Sequence, residues 1–275
     1  MRHRGFRLFA MLGGLMTVSF PAFAAQDSMT ATLVQPAMTK LAELERCVPE
    51  STRGHCASIA LVLELSGIDW LDHVLLQQFG PDASDSGASN SGPESIQRHV
   101  TELQKQAVGW LDESYATVLE AASADEPYFL SYERSRQLKF LYQRANLAFY
   151  RQLDYDYYGG AHGMYASNYL LFDLNAQKEL QLKDILLPGS EAKLAAALRE
   201  VYLQEYSEYV EHWLPVTEQE QLGKMLVDNF VFTDEGLVFV YPLYELAPYS
   251  SGEIRLTLGA HSLQGLLQPQ YSFGY

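Results

Sequence analysis

The sequence predicts an α+β protein: antiparallel sheet with helices packed on one side, arranged as two intimately associated subdomains. Three observations predict it. Helical and strand patterns come in blocks and do not alternate regularly. A single stripe at three- and four-residue spacing (Ile96, Val100, Leu103, Ala107, Trp110/Leu111, Ser114, Val118) runs from Glu94 to about Ala122. The stretch from Tyr128 to Leu174 is aromatic-rich and partly alternating, as half-buried strands are.

The first residues read as an address and not as structure. Arg2, His3, Arg4 and Arg7 form a basic start, Leu8 to Phe20 an apolar run, and Ala22-Phe23-Ala24 a small-x-small cleavage site. Residues 1–24 are therefore expected to be a signal peptide. The run is too short to span about 30 Å of hydrocarbon, so no retained anchor is expected. Export implies an oxidising compartment, and Cys47 and Cys56 are then expected to form a disulfide over a short loop.

Residues 26–45 are read as a short helical stretch ending in Leu41-Ala42-Glu43-Leu44-Glu45. Ala57 to Leu65 reads as a buried strand, broken at Gly67; Ile68, Leu71, Val74/Leu75 and Phe79 then mark a short amphipathic helix. Pro81 to Pro93 is small and polar, hence a loop. The long helix follows, and then strands over Tyr128–Arg134, Gln137–Tyr142, Ala145–Asp156 and Tyr165–Leu174. Asn175 to Lys178 is a turn, and Pro188-Gly189 interrupts the chain. A helix is predicted from Glu191 to Trp213, and a shorter one from Thr217, where Thr217-Glu218-Gln219-Glu220 fits a capping box, to Val227. Phe230–Thr233 and Leu237–Tyr241 pair around Asp234-Glu235-Gly236 as a hairpin. Glu253–Leu258 is a last strand and Leu263–Leu267 a terminal helical turn. The expected organisation is a signal peptide (1–24), an N-terminal α+β segment (25–144) and a C-terminal domain (145–275).

The chain has 34 acidic residues against 19 lysines and arginines, a formal charge of −15. Loss of the leader, which carries three arginines and no acid, leaves 16 basic residues against 34 acids, or −18. Such a field repels nucleic acid and anionic lipid and steers cationic partners inward. The same balance also serves plain solubility.

Catalytic patterns are thin. Ser190-Glu191-Ala192-Lys193 matches Ser-x-x-Lys, but lacks its Lys-Thr-Gly and Ser-Asp-Asn companions; Ser190 reads as a helix N-cap. The histidines have no zinc spacing, and Pro93 stands where a calcium loop from Asp82 needs glutamate, so no metal or cofactor is expected. Asp154 and Asp156 share one strand face, read as solvent more readily than as an acid pair.

Two segments stand out as recognition surface: Gly159, Gly160 and His162 in one loop, and Tyr241, Pro242, Tyr244, Glu245, Pro248 and Tyr249 in another. Glycines around a histidine ask for unusual backbone angles. The tyrosine-proline run reads either as an exposed stiff wedge or as a conformational corner with Tyr244 and Tyr249 half-buried. His162 reads as hydrogen-bonded structure before catalyst.

From about residue 145 to 268 the chain resembles the exported domain-of-unknown-function family that ends the lysozyme-binding anti-sigma factor RsiV. The resemblance rests on Gly159-Gly160-Ala161-His162-Gly163, Asn168-Tyr169, Phe172-Asp173-Leu174, Lys178 to Ile185, Asn229 to Thr233, Gly236 to Phe239 and Tyr241 to Tyr249. It implies a protein-binding module of the cell envelope, periplasmic or secreted, that binds or inhibits a cationic, lysozyme-type muramidase and is not an enzyme. A peptidoglycan-associated enzyme or accessory factor is the alternative, and a structural envelope protein without ligand is a further one. Unlike RsiV, the chain is expected to lack a sigma-binding region and a membrane helix, so signalling by regulated proteolysis is not expected of it.

Overall fold

The computed structural model describes residues 32–49, 55–80, 93–123 and 131–272. The expected signal peptide and the polar loop over 81–92 lie outside them. Six strands form one sheet in chain order: β1 (Ala37–Cys47), β2 (Cys56–Leu65), β3 (Tyr132–Arg144), β4 (Leu147–Tyr157), β5 (Met164–Asp173) and β6 (Lys178–Glu179). Neighbours are antiparallel except β2 and β3, which run parallel. That exception follows from the two helices between them, α1 (Asp69–Phe79) and α2 (Pro93–Ser123), which return the chain to the end where β2 began.

Alternation along the strands assigns the two faces of the sheet. Ala148 and Tyr150 of β4 join Ile59, Leu61, Leu63, Leu138 and Phe172 in a core closed by Leu103, Ala107, Leu111 and Val118 of α2. Leu147 and Phe149 point the other way, into a second core with Leu171 and the C-terminal elements. Each large apolar side chain buried this way is worth about 1.5–3 kcal/mol. Asp72, buried in the first turn of α1, accepts hydrogen bonds from the Ser66 hydroxyl at 2.6 Å and from the Ser66 and Gly67 amides. An acid is favoured there by the helix dipole.

The C-terminal elements are α3 (Leu182–Ile185), α4 (Glu191–Glu205), α5 (Val210–Trp213), α6 (Glu218–Met225), β7 (Phe230–Phe232), β8 (Leu237–Tyr241), β9 (Ile254–Leu258) and α7 (Ala260–Leu263). β7, β8 and β9 make an antiparallel sheet whose Phe230, Phe239 and Leu256 share a core with Leu194, Leu198 and Tyr202 of α4. Thr217 caps α6 by accepting from the Glu220 amide, as its sequence pattern predicts. The fold is thus α+β with two sheet regions. Position 144/145 falls in the turn of the β3–β4 hairpin, within the six-stranded sheet.

Four sequence expectations are corrected. The stretch ending Leu41–Glu45 is strand β1 and not helix; the register slips between Lys40 and Ala42, and both Leu41 and Ala42 are buried. A bulge inserts one residue into a period of two, which imitates helical spacing. The two strands predicted over 128–142 are, in the described part, one strand, β3. The helix from Glu191 stops at Glu205, where Tyr206 leaves helical angles at φ −130° and ψ 35°. This break places the Tyr209 hydroxyl 2.8 Å from Ser251 Oγ. The helical turn expected at Leu263–Leu267 lies instead at Ala260–Leu263, a short 3-10 turn follows at Pro269–Tyr271, and Leu267 bridges to Leu186.

Among the described residues no helix is long and apolar enough to cross a membrane. Cys47 and Cys56 are disulfide-bonded at the end of the β1–β2 pair.

Candidate functional site

The two recognition segments, eighty residues apart in sequence, meet. β4 delivers Tyr155 and Tyr157 on one face into the loop that follows, and the Tyr157 hydroxyl donates to the Gly160 carbonyl at 3.0 Å. Gly159 and Gly160 hold φ of 86° and 92°, a region that side chains rarely enter. Gly163 is buried against Tyr155; a Cβ there would lie 2.5 Å from the ring. Burial, with Glu133, Tyr249 and Tyr157 nearby, raises the Tyr155 hydroxyl above the usual phenol range.

The other segment leaves β8 at Tyr241. The Glu245 amide donates to the Pro242 carbonyl at 3.1 Å, closing a turn whose third residue, Tyr244, has φ 65°. Buried Leu243, Leu246 and Ala247 anchor this turn, while Pro242 and Tyr244 face outward, Tyr244 with 45% of its surface exposed. The turn then reaches Tyr249, whose ring stacks on His162 with centroids 3.7 Å apart and planes 15° apart. The Tyr249 hydroxyl donates to the Gly163 carbonyl at 2.8 Å, and Tyr244 leans on Tyr249 at 5.8 Å between centroids. The result is a ridge of His162, Tyr249 and Tyr244, fixed by stacking and by one cross-segment hydrogen bond. A surface held in place beforehand spends less ordering entropy on a partner.

The structure distributes the candidate residues as follows. Gly160, His162, Pro242 and Tyr244 are exposed, and Gly159, Glu245, Pro248 and Tyr249 half-buried. Glu245 lies 3.4 Å from Lys224. Tyr241 is corrected: it is fully buried, its hydroxyl donates to the Met225 carbonyl at 2.7 Å, and burial pushes its pKa up. It supports the turn and cannot touch a partner. The wedge and the corner both describe part of the segment, since Tyr249 packs and Tyr244 projects. Tyr155, not singled out from sequence, belongs to this site; its i, i+2 spacing from Tyr157 into the glycine loop was the available signal.

The other reactive groups singled out from sequence have the following surroundings. Asp154 and Asp156 do share a face, but it is the helix-facing one and not solvent: Arg136 pairs with Asp154 at 2.9 Å and Arg134 with Asp156 at 2.7 Å. Arg134 also stacks on Trp110 of α2. Ser190 precedes α4 without a side-chain capping bond; its hydroxyl lies 2.7 Å from the Leu187 carbonyl and 3.1 Å from that of Leu266. Among the described residues the group of acid, cysteine and histidine ligands close enough to share a metal is Glu45 with Cys47 and Cys56, and those sulfurs are bonded to each other.

Residues 183–259 match the model of a family described as protein of unknown function (DUF3298). The match begins after the Gly159–Gly163 loop and includes the Tyr241–Tyr249 turn. A DUF3298 family member from Bacteroides fragilis NCTC 9343, 18% identical, has a solved structure that superposes with a TM-score of 0.60 over 88% of this chain and 99% of its own. A DUF3298 family protein from Pseudomonas aeruginosa PAO1, 19% identical, gives 0.52 over 86% and 95%. At such identities the likeness is one of fold. No curated protein matches the chain.

Proposed function

We propose that this chain is an exported binding module of the cell envelope, periplasmic or secreted, that captures a cationic protein on the ridge of His162, Pro242, Tyr244 and Tyr249. A lysozyme-type muramidase is the leading ligand. One observation carries the reading: Tyr244 is an exposed aromatic held at φ 65°, where glycine or asparagine is the stable choice. A left-handed tyrosine costs roughly 1–2 kcal/mol, and such strain gathers at ligand clamps. Tyrosine suits the role because it offers a large amphipathic contact at low entropic cost. The formal charge of −15 would hasten encounter with a basic partner.

Calorimetric titration of the protein and its Tyr244→Gly variant with a c-type lysozyme, alongside a lysis assay, tests this. Glycine suits the left-handed angle, so the turn is kept while the ring is removed. Saturable binding with loss of lytic activity is expected, weakened about 30-fold in the variant, the scale of a ~2 kcal/mol hot spot. Binding that is unaffected by Tyr244→Gly would remove the ridge, and absence of binding would remove lysozyme.

A further inference from the structure

We infer that the cleft where the two sheets meet is a second binding site, for an oxyanion such as a carboxylate or phosphate carried on an apolar body. The cleft is about 620 Å³ and runs between the end of β3 and the outer face of β7 and β9. That volume lies within the roughly 300–1,000 Å³ of small-molecule sites. Leu141, Tyr142 and Val231 give it apolar walls, and Arg144, Arg255 and Asp234 its charge.

Cations collect here against the trend of the whole chain, in which acids outnumber lysines and arginines 34 to 19. Arg255 and Arg144 line the cleft from different elements. Arg255 lies over the Tyr169 ring at 5.6 Å and donates to its hydroxyl at 2.9 Å, which fixes the guanidinium plane. Lys139, Arg151 and Tyr169 stand opposite one another across β3, β4 and β5, so all three share the face from which the cleft opens. Arg151 shares that sheet face without lining the cleft itself, and its Nε is buried with no hydrogen-bond partner. A buried guanidinium N–H is rarely left unpaired, and an arginine fork matches the paired oxygens of a carboxylate or phosphate. The acids at hand are Asp234, exposed on the rim, and Glu253, whose Oε2 is 3.9 Å from Arg255. The apolar walls call for more than a bare ion, hence the apolar body.

Titration calorimetry with octanoate and octyl phosphate, and with octyl glucoside as the neutral probe of equal tail, decides the matter. Expected is saturable heat with at least one of the anions and none with the glucoside. Arg255→Gln should weaken the anion about tenfold, the loss of one charge-assisted contact. Asp234→Asn, a change at an exposed turn position, should tighten it by about threefold, as removal of a like charge near the ligand would. Tyr244→Gly should leave it unchanged, which separates this site from the ridge. No heat with either anion, equal binding of the glucoside, or affinity indifferent to both Arg255→Gln and Asp234→Asn would overturn the assignment.

Discussion

Tyr244 gives up stability at a single dihedral angle, and that makes two substitutions informative in opposite ways. Tyr244→Gly relieves the left-handed backbone and should raise stability by about 1 kcal/mol, seen as a melting temperature roughly 2–4 °C higher. Tyr244→Ala keeps the strain and loses only the ring, so its melting temperature should stay near that of the parent. Thermal denaturation of the two variants separates backbone cost from side-chain role. Composition alone marked Tyr244, Tyr249 and His162, because glycine-histidine and tyrosine-proline clusters are poor core material. It could not tell that Tyr241 turns inward. Leu237 to Tyr241 is buried on both faces, and a strand of that kind carries no alternation to read. The arginine partners of Asp154 and Asp156 were hidden for a different reason: they depend on the β3–β4 register, which no short sequence window contains.

Among the elements, β5 has an edge that is closed by side chains. The Asn229 amide accepts from the Tyr169 N–H at 2.9 Å and donates to the Ser167 carbonyl at 2.7 Å and the Val240 carbonyl at 3.1 Å, while Glu253 accepts from the Ser167 N–H. Asn229→Ala should cost about 2–4 kcal/mol in urea unfolding, since each lost bond is worth about 1 kcal/mol and strands a buried partner. Asn229→Asp, which keeps the acceptor and loses both donors, should fall between. α1 and α2 meet through His73 and His99, ring centroids 4.8 Å apart and edge to face. Burial, and then His99, hold the His73 pKa below its ordinary 6.5. The folded state therefore refuses a proton that the unfolded state takes, so the penalty begins as pH falls through 6.5 and grows until the lowered value is reached. Urea unfolding between pH 7.5 and 5.5 should show the parent losing more stability than His73→Gln. Long periodic elements such as α2 were legible in sequence, and so was the β7–β8 hairpin from its turn. β1 was not, because its bulge mimics a helical period, nor was the end of α4, where Tyr206 stacks between Tyr202 and Tyr209 while the tyrosine spacing continues unbroken.

At the scale of the molecule, the proposed capture of a lysozyme should weaken with salt, because of the charge excess, and should survive it if the ridge makes the contact. Calorimetry at roughly 0.05 and 0.5 M salt, where the screening length shrinks severalfold, should leave a residual affinity set by the ridge; heat that disappears would mean charge attraction alone. The disulfide closes a loop with a sequence separation of 9, which corresponds to about 2–3 kcal/mol in chain entropy. A Cys47→Ser, Cys56→Ser double variant should melt earlier but still fold, because both cores lie outside that loop. β4 has the opposite character: its alternate residues serve two cores at once, so the chain has no seam at the hairpin turn after Arg144. Cut there and produced as two fragments, the protein should act as a complementation pair. Each piece alone would have unpaired strands and an open apolar face, and would give little near-ultraviolet circular dichroism; mixing them would restore the spectrum of the intact chain.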